Sequence, residues 1–213
     1  MEGSLRDDAP PGLQLIETLL WQPATGFARL PAHLARLRAS AATLRIAFDD
    51  AAVEPLLASV AGDGPQRVRL TLALDGTPAL TSAPLAPTAP AWTLRLAGGL
   101  RSSDPWLRLK TTRRPVHDAE RAALPPGIDE ALLLNERGEI CEGTITNVFA
   151  DLGEGLLTPP LACGVLPGVL RAELVAAGTA REAVLRPGDL AHARVLVGNA
   201  LRGLIPARLA GRG

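Results

Sequence analysis

Of the 22 basic residues in this chain only Lys110 is a lysine; all the others are arginine. The two side chains share a charge but not a chemistry. A guanidinium stays protonated and is a poor nucleophile, whereas a desolvated amine can shed its proton and condense with a carbonyl to an imine. A composition rich in Ala, Gly, Pro and Arg suits a GC-rich genome, which writes arginine wherever positive charge alone is wanted. A single lysine in that background is either a chance survivor or an amine that does chemistry. Thr111, Thr112, Arg113 and Arg114 follow it directly. Two cations so close would lower an ammonium pKa, as an activated lysine requires; a solvated basic face is the other reading.

Three more features bear on that choice. Glu142 stands in Cys141-Glu142-Gly143-Thr144-Ile145-Thr146-Asn147-Val148-Phe149. On an alternating strand it faces the same way as Ile140, and an inward carboxylate is costly without a cationic partner. An edge carboxylate in water is the alternative. Gly164-Val165-Leu166-Pro167-Gly168-Val169-Leu170-Arg171 is a Gly/Pro loop opening an amphipathic helix, where free backbone N–H groups bind phosphate readily. Gly198-Asn199-Ala200-Leu201 follows a strand and offers a second such turn. An amine for an aldehyde, an anion beside a pyridine nitrogen and a phosphate cradle are what a pyridoxal-phosphate (PLP) site needs.

These residues require elements to position them. Leu13 to Trp21 reads as a buried strand closed by the turn from Gln22 to Gly26. Leu30, Leu34, Leu37, Ala41 and Leu44 recur at helical spacing, and Asp50 to Val60 is a second helix ended by Gly62 and Gly64. Val68 to Leu74 alternates and runs into an Asp75-Gly76 hairpin turn, with a short return strand near Ala79 to Ser82. The Pro/Ala stretch around residues 84–91 resembles an extended linker. It separates a small α+β domain (residues 1–83) from a larger mixed α/β domain (92–213). In the latter we expect a strand from Trp92 to Leu96 and an irregular stretch as far as Trp106. A helix follows from Val116 to Ala123, then strands Glu130 to Leu134 and Glu139 to Ala150 around a turn at 135–138. The remaining expectations are a strand at Leu156-Leu157, a helix Gly168 to Ala177, a strand Ala183 to Leu185, a helical turn Pro187 to Ala191 and a strand Arg194 to Val197. Strands and helices mix without strict βαβ alternation, which favours an α+β or mixed α/β fold.

Composition excludes several classes. The 22 acids balance the 22 bases, arginines are spread along the chain, and aromatics are 3% with no tyrosine. That argues against nucleic-acid binding. No apolar run approaches the roughly 20 residues of a membrane helix, and Met1 to Pro10, with Glu2, Asp7 and Asp8, lacks the apolar core of a secretory signal. Cys141, Cys163 and the histidines at 33, 117 and 192 show no metal-ligand spacing, so no metal is expected and a reducing cytoplasm is the default compartment.

The string from Glu130 to Gly138 (EALLLNERG), then Glu142-Gly143-Thr144 and Asn147-Val148-Phe149, resembles the class IV (branched-chain-type) aminotransferase signature. Leu157-Thr158-Pro159-Pro160 and Gly164 to Arg171 fit it too, with Lys110 at a matching distance before them. The likeness runs from about Leu13 to about Leu209. It implies the two-domain, D-amino acid aminotransferase-like fold, N-terminally shortened because the hairpin that usually precedes the Leu13 strand is missing. It implies PLP carried on Lys110 and Glu142 as partner of the pyridine nitrogen. The phosphate would be gripped by Arg36, in His33-Leu34-Ala35-Arg36-Leu37, by the backbone of Gly168 and Val169, and by the turn at Asn199 and Ala200. Leu170 stands where some relatives have an extra phosphate-binding threonine. A homodimer acting on a small-molecule amine is implied as well.

Within the family the likeness leans towards the 4-amino-4-deoxychorismate lyases. The Asn199-Ala200-Leu201 turn resembles theirs, and Thr18 in Ile16-Glu17-Thr18 matches a threonine where branched-chain transaminases tend to have glycine. Typical transaminases of the class place tyrosines around the cofactor, one shortly after the lysine, where Arg114 and Pro115 stand here. Lyase chemistry would use Lys110 as general base, the Thr18 hydroxyl to protonate departing enolpyruvate, and Arg113 or Arg114 to hold a substrate carboxylate. A class IV transaminase using the same Lys110 and Glu142, and a non-catalytic relative, are the alternatives.

Overall fold

Leu13, Leu15 and Leu19 fall at the two-residue spacing of one strand face, which is therefore largely apolar and must be covered. The computed structural model describes residues 5–211; residues 1–4 of the acidic N-terminal stretch, and 212–213, lie outside the described residues. The chain divides into two compact units, Met1–Pro87 with Leu109–Arg113, and Thr88–Arg108 with Arg114–Gly213.

In the first unit, β1 (Gln14–Gln22), β2 (Gly26–Phe27), β3 (Gln66–Ala73) and β4 (Pro78–Pro84) form an antiparallel sheet in the order β2-β1-β3-β4. Leu15, Glu17 and Leu19 lie opposite Leu72, Leu70 and Val68, and all six are buried. Helix α1 (Leu30–Thr43) packs against β1 and buries His33, Leu37, Ser40 and Ala41. Helix α2 (Asp50–Ala58) starts at Asp49, whose carboxylate accepts from Ala51 N at 2.9 Å, a standard N-cap. The expected hairpin turn has Gly76 at φ 89°, with a hypothetical Cβ only 2.8 Å from the Ala47 carbonyl oxygen, so a side chain there meets both strain and backbone.

The Lys110 segment, expected to belong with the C-terminal part, lies along β1 instead. Leu15 faces Thr111 in an antiparallel bridge, Ile16 N donates to Lys110 O at 2.8 Å and Thr112 N donates to Gln14 O at 2.9 Å. The edge of β1 offers unpaired peptide groups, and Leu109–Arg113 satisfies them.

In the second unit the strands are β5 (Trp92–Leu100), β6 (Glu130–Asn135), β7 (Ile140–Gly143), β8 (Asn147–Asp151), β9 (Leu156–Thr158), β10 (Ala180–Glu182), β11 (Arg194–Asn199) and β12 (Gly203–Leu209). Their order is β10-β9-β8-β11-β12-β5-β6-β7, and a further β7–β8 pairing closes the six strands from β8 to β7 on themselves. Parallel pairs (β5–β6, β12–β5, β9–β10) mix with antiparallel ones. Trp92, Leu94, Leu132, Ile140, Val148, Val195, Val197 and Ile205 form the main apolar cluster. Helices α3 (Pro115–Ala122) and α4 (Val169–Ala176) complete the unit. The architecture is the mixed α+β fold expected from the sequence.

Four local expectations are corrected. Glu139 to Ala150 is not one strand but the hairpin β7–β8, folded at Thr144–Thr146 around the buried Glu130. The short strand lies at Ala180–Glu182 rather than Ala183–Leu185, because the earlier residues pair with Leu156–Thr158. Ala183 and Leu185 make single backbone bonds, to Thr158 O and from Ile140 N. Strand β5 continues past Leu96 to Leu100. Strand β12 was not anticipated, since Gly203 and Pro206 obscure its alternation. Pro206 is tolerated one residue before pairing with β5 begins at Ala207.

Candidate active site

In the first unit, Glu17 projects onto the helix-facing side of β1 in a row of leucines and is 1% exposed. Arg36 approaches from α1 with a two-pronged grip, Nε to Oε1 at 2.8 Å and Nη2 to Oε2 at 2.6 Å, and His33 Nδ1 lies 2.6 Å from Oε2. Burial pushes the Glu17 carboxyl up, but the His33 hydrogen bond together with the charge and hydrogen bonding of Arg36 outweighs it, so the group lies below the ordinary glutamate value. Residues 33 and 36 share one face of α1 because they are three apart. Arg36 is therefore a held guanidinium in a fixed plane, not a surface arginine.

On the opposite face of the same sheet the pleat arranges a second set. With Leu15 opposite Thr111, Ile16 falls opposite Lys110, and directly opposed residues of an antiparallel pair point the same way. Thr18, two residues on from Ile16, shares that face. Lys110 and Thr18 are both half-buried, while Thr111 is fully buried on the other face. Arg113 belongs to this unit, with its N–H bonded to Thr111 Oγ1 at 3.1 Å.

The second unit gathers most of the remaining candidates. Glu142 is the last but one residue of β7 and is 5% exposed, so it is not a water-facing edge carboxylate. Its Oε1 lies 2.9 Å from His117 Nε2; its Oε2 accepts from Leu166 N at 2.9 Å and, at the long distance of 3.5 Å, from Asn147 Nδ2. Asn147 Nδ2 also reaches Leu166 O at 3.3 Å. A Cβ on Gly168 would stand 1.9 Å from Asn147 Oδ1, so any other residue there would have to displace the Asn147 side chain from its contacts with Glu142 and Leu166. Helix α4 begins at Val169 with no side-chain cap, and its first intrahelical bond is Ala172 N to Gly168 O. The N–H groups from Val169 to Arg171 thus have no partner within the helix.

Asn199 closes its turn by accepting from Leu201 N at 3.1 Å and Arg202 N at 2.9 Å, and its Nδ2 donates to Ile145 O at 3.1 Å. That bond ties the Asn199-Ala200 turn to the β7–β8 hairpin. Arg114, the residue preceding α3, donates through Nη2 to Thr144 O and lies 3.7 Å from Asp118. The boundary between the units falls between Arg113 and Arg114, so the two arginines of the KTTRR string have different surroundings.

Some of these residues escaped the sequence reading. Glu17 had a signal: a carboxylate in phase with Leu13, Leu15 and Leu19 must be buried and needs a cation. His117 and Glu130 had none, since their partners are 25 and 14 residues away in the chain.

Residues 14–210 match the model of amino-transferase class IV, and the chain belongs to that family, whose members are PLP-dependent enzymes. Among solved structures it is similar to a protein from Mesorhizobium loti provisionally assigned as an amino-acid aminotransferase, with 49% identity, 93% of this chain and 100% of that one covered, and a TM-score of 0.90. A protein from Legionella pneumophila subsp. pneumophila, provisionally assigned as a 4-amino-4-deoxychorismate lyase, shares the fold at 24% identity, with 93% and 83% covered and a TM-score of 0.80. So does a hypothetical aminotransferase from Mycobacterium tuberculosis in its PLP-bound form, at 23% identity, 93% and 82% coverage and a TM-score of 0.77. No curated protein matches the chain.

Proposed function

We propose that this enzyme is a PLP-dependent lyase converting 4-amino-4-deoxychorismate to 4-aminobenzoate and pyruvate. The observation that carries the reading is the common face of Lys110 and Thr18, set by the pairing of Leu15 with Thr111. It puts an amine and a hydroxyl on one side of one sheet, as a base and an acid acting on a single substrate require.

Each unit carries residues of the kinds the cofactor needs. Lys110 would hold it covalently through its amine. Glu142, buried and bonded on both oxygens, would be the partner of the pyridine nitrogen. The uncapped start of α4 behind Gly168, the Asn199-Ala200 turn and the clamped Arg36 are suited to its phosphate. When bound, PLP supplies an electron sink for charge developing at the carbon next to the substrate nitrogen.

The chain's own groups do the rest. The Lys110 amine would take the proton from the ring carbon that bears the substrate nitrogen. The bond between ring and enolpyruvyl oxygen breaks, the ring becomes aromatic, and Thr18 Oγ1 delivers the proton with which enolpyruvate leaves and becomes pyruvate. Arg113 or Arg114 would hold a substrate carboxylate; for Arg114 this requires exchanging its bond to Thr144 O. A homodimer in the cytoplasm completes the proposal, and the two buried free thiols suit a reducing compartment.

The test is a product assay with 4-amino-4-deoxychorismate. Wild type should release 4-aminobenzoate and Lys110→Ala should not; equal turnover by both removes the mechanism. Thr18→Val should lower kcat by about a hundredfold with KM little changed, as expected for a lost general acid. The 49% identity to the Mesorhizobium loti protein favours a second reading, transamination of an amino acid with a 2-keto acid. Stable bleaching of the bound cofactor by an L- or D-amino acid, without 4-aminobenzoate formation from the chorismate substrate, would favour that reading.

A further inference from the structure

We infer that His117 is a positioning residue for Glu142, and through it for the pyridine nitrogen of the cofactor. The inference rests on the role proposed above for Glu142. His117 is 8% exposed and occupies the first turn of α3, which packs on β5 and β6. A carboxylate oxygen only accepts, so the 2.9 Å contact to Glu142 Oε1 requires the ring proton on Nε2.

Two contacts from the start of α3 act together. Arg114 immediately precedes α3 and His117 lies in its first turn. Arg114 holds the Thr144 carbonyl while His117 holds the Glu142 carboxylate. The helix therefore grips both sides of Gly143, at the end of β7 where Glu142 stands. From the other direction Leu166 N and, more weakly, Asn147 hold Oε2. An ionised carboxylate offers about four lone-pair sites; these three donors leave room for one more. A pyridine N–H is a donor of the right kind, and with the carboxylate pinned on both oxygens it meets an acceptor that does not rotate away.

The experiment compares His117→Phe, His117→Gln, Glu142→Gln and the double variant His117→Phe/Glu142→Gln, each stripped of cofactor and reloaded with PLP. His117→Phe should weaken PLP binding about tenfold or more, the loss expected for a hydrogen bond to a charged group. It should also shift the visible absorption band of the bound cofactor. His117→Gln, whose amide N–H can reach the same oxygen, should restore most of both. In the double variant the two effects should not add, since both act through one contact.

Wild-type protein free of cofactor supplies an independent readout. The His117 Nε2–H resonance in imidazole NMR should move on Glu142→Gln and again on adding PLP, while that of His192 stays put. If Glu142→Gln weakens PLP and shifts the band but His117→Phe does neither, His117 is mere packing and the inference falls. If Glu142→Gln itself changes nothing, the role of Glu142 falls first and takes this one with it. Should His117→Phe not fold, an unmoved His117 resonance on PLP binding to wild type overturns the inference instead.

Discussion

Glu17 shows how a single buried charge can be made a structural asset. Its burial works against ionisation, and His33 with Arg36 reverses the balance, leaving the carboxyl below its ordinary value of 4.5. A group whose pKa is depressed by folding contributes stability above its unfolded value and loses it as pH falls towards the folded one. The first unit should therefore weaken as pH drops below about 4.5, the unfolded value. Urea midpoints across that range should fall for wild type and change less for Glu17→Gln, and parallel curves would deny Glu17 this part. The same bonds fix Arg36, so the phosphate grip proposed for it depends on the Glu17 carboxylate.

Glu130 does at the level of the element what Glu17 does for a side chain. It is fully buried, and its two oxygens accept from Ala131 N, Thr144 N and Oγ1, Ile145 N and Thr146 Oγ1. Gly143 has no room for a Cβ, which would stand 2.8 Å from Glu130 Oε2. These bonds turn what reads as one long strand into β7 and β8, so Glu142 stands beside Asn147 rather than five residues further along an extended chain. Glu130→Gln places an NH2 among N–H donors and should destabilise the protein by about 2 kcal/mol or more, the cost of a buried donor left unmade. A guanidinium midpoint within error of wild type would show that the turn holds itself. Periodicity cannot announce such a hairpin, because Ile140 to Ala150 is buried on both faces and carries no alternation to interrupt.

For the whole molecule, the described chain forms two units whose boundaries do not follow chain order, because Leu109–Arg113 leaves the second stretch of sequence to pair with β1. Inside the second unit, Cys141 and Cys163 are buried and free. Burial, with the nearby Glu139, pushes the Cys163 thiol up to about 11, and burial with the charge of Glu142 raises that of Cys141 too. Neither should react with iodoacetamide at neutral pH except through opening of the unit. Labelling should therefore appear over the same guanidinium range as loss of the fold; rapid labelling of the native protein would mean that the region around Glu142 opens locally.

The sequence by itself determined the family, the lone amine, the carboxylate and the loop-to-helix turn, because each is a matter of residue type in a local order. It also located α1, α2, α3 and α4 and most strands to within a few residues, since their apolar spacing is local too. Only the tertiary structure decided which strand the lysine segment lies against, that a hairpin interrupts the signature, and that His117 meets Glu142. Those are contacts between residues far apart in the chain, chosen by which buried peptide and carboxylate groups must find partners once water is gone.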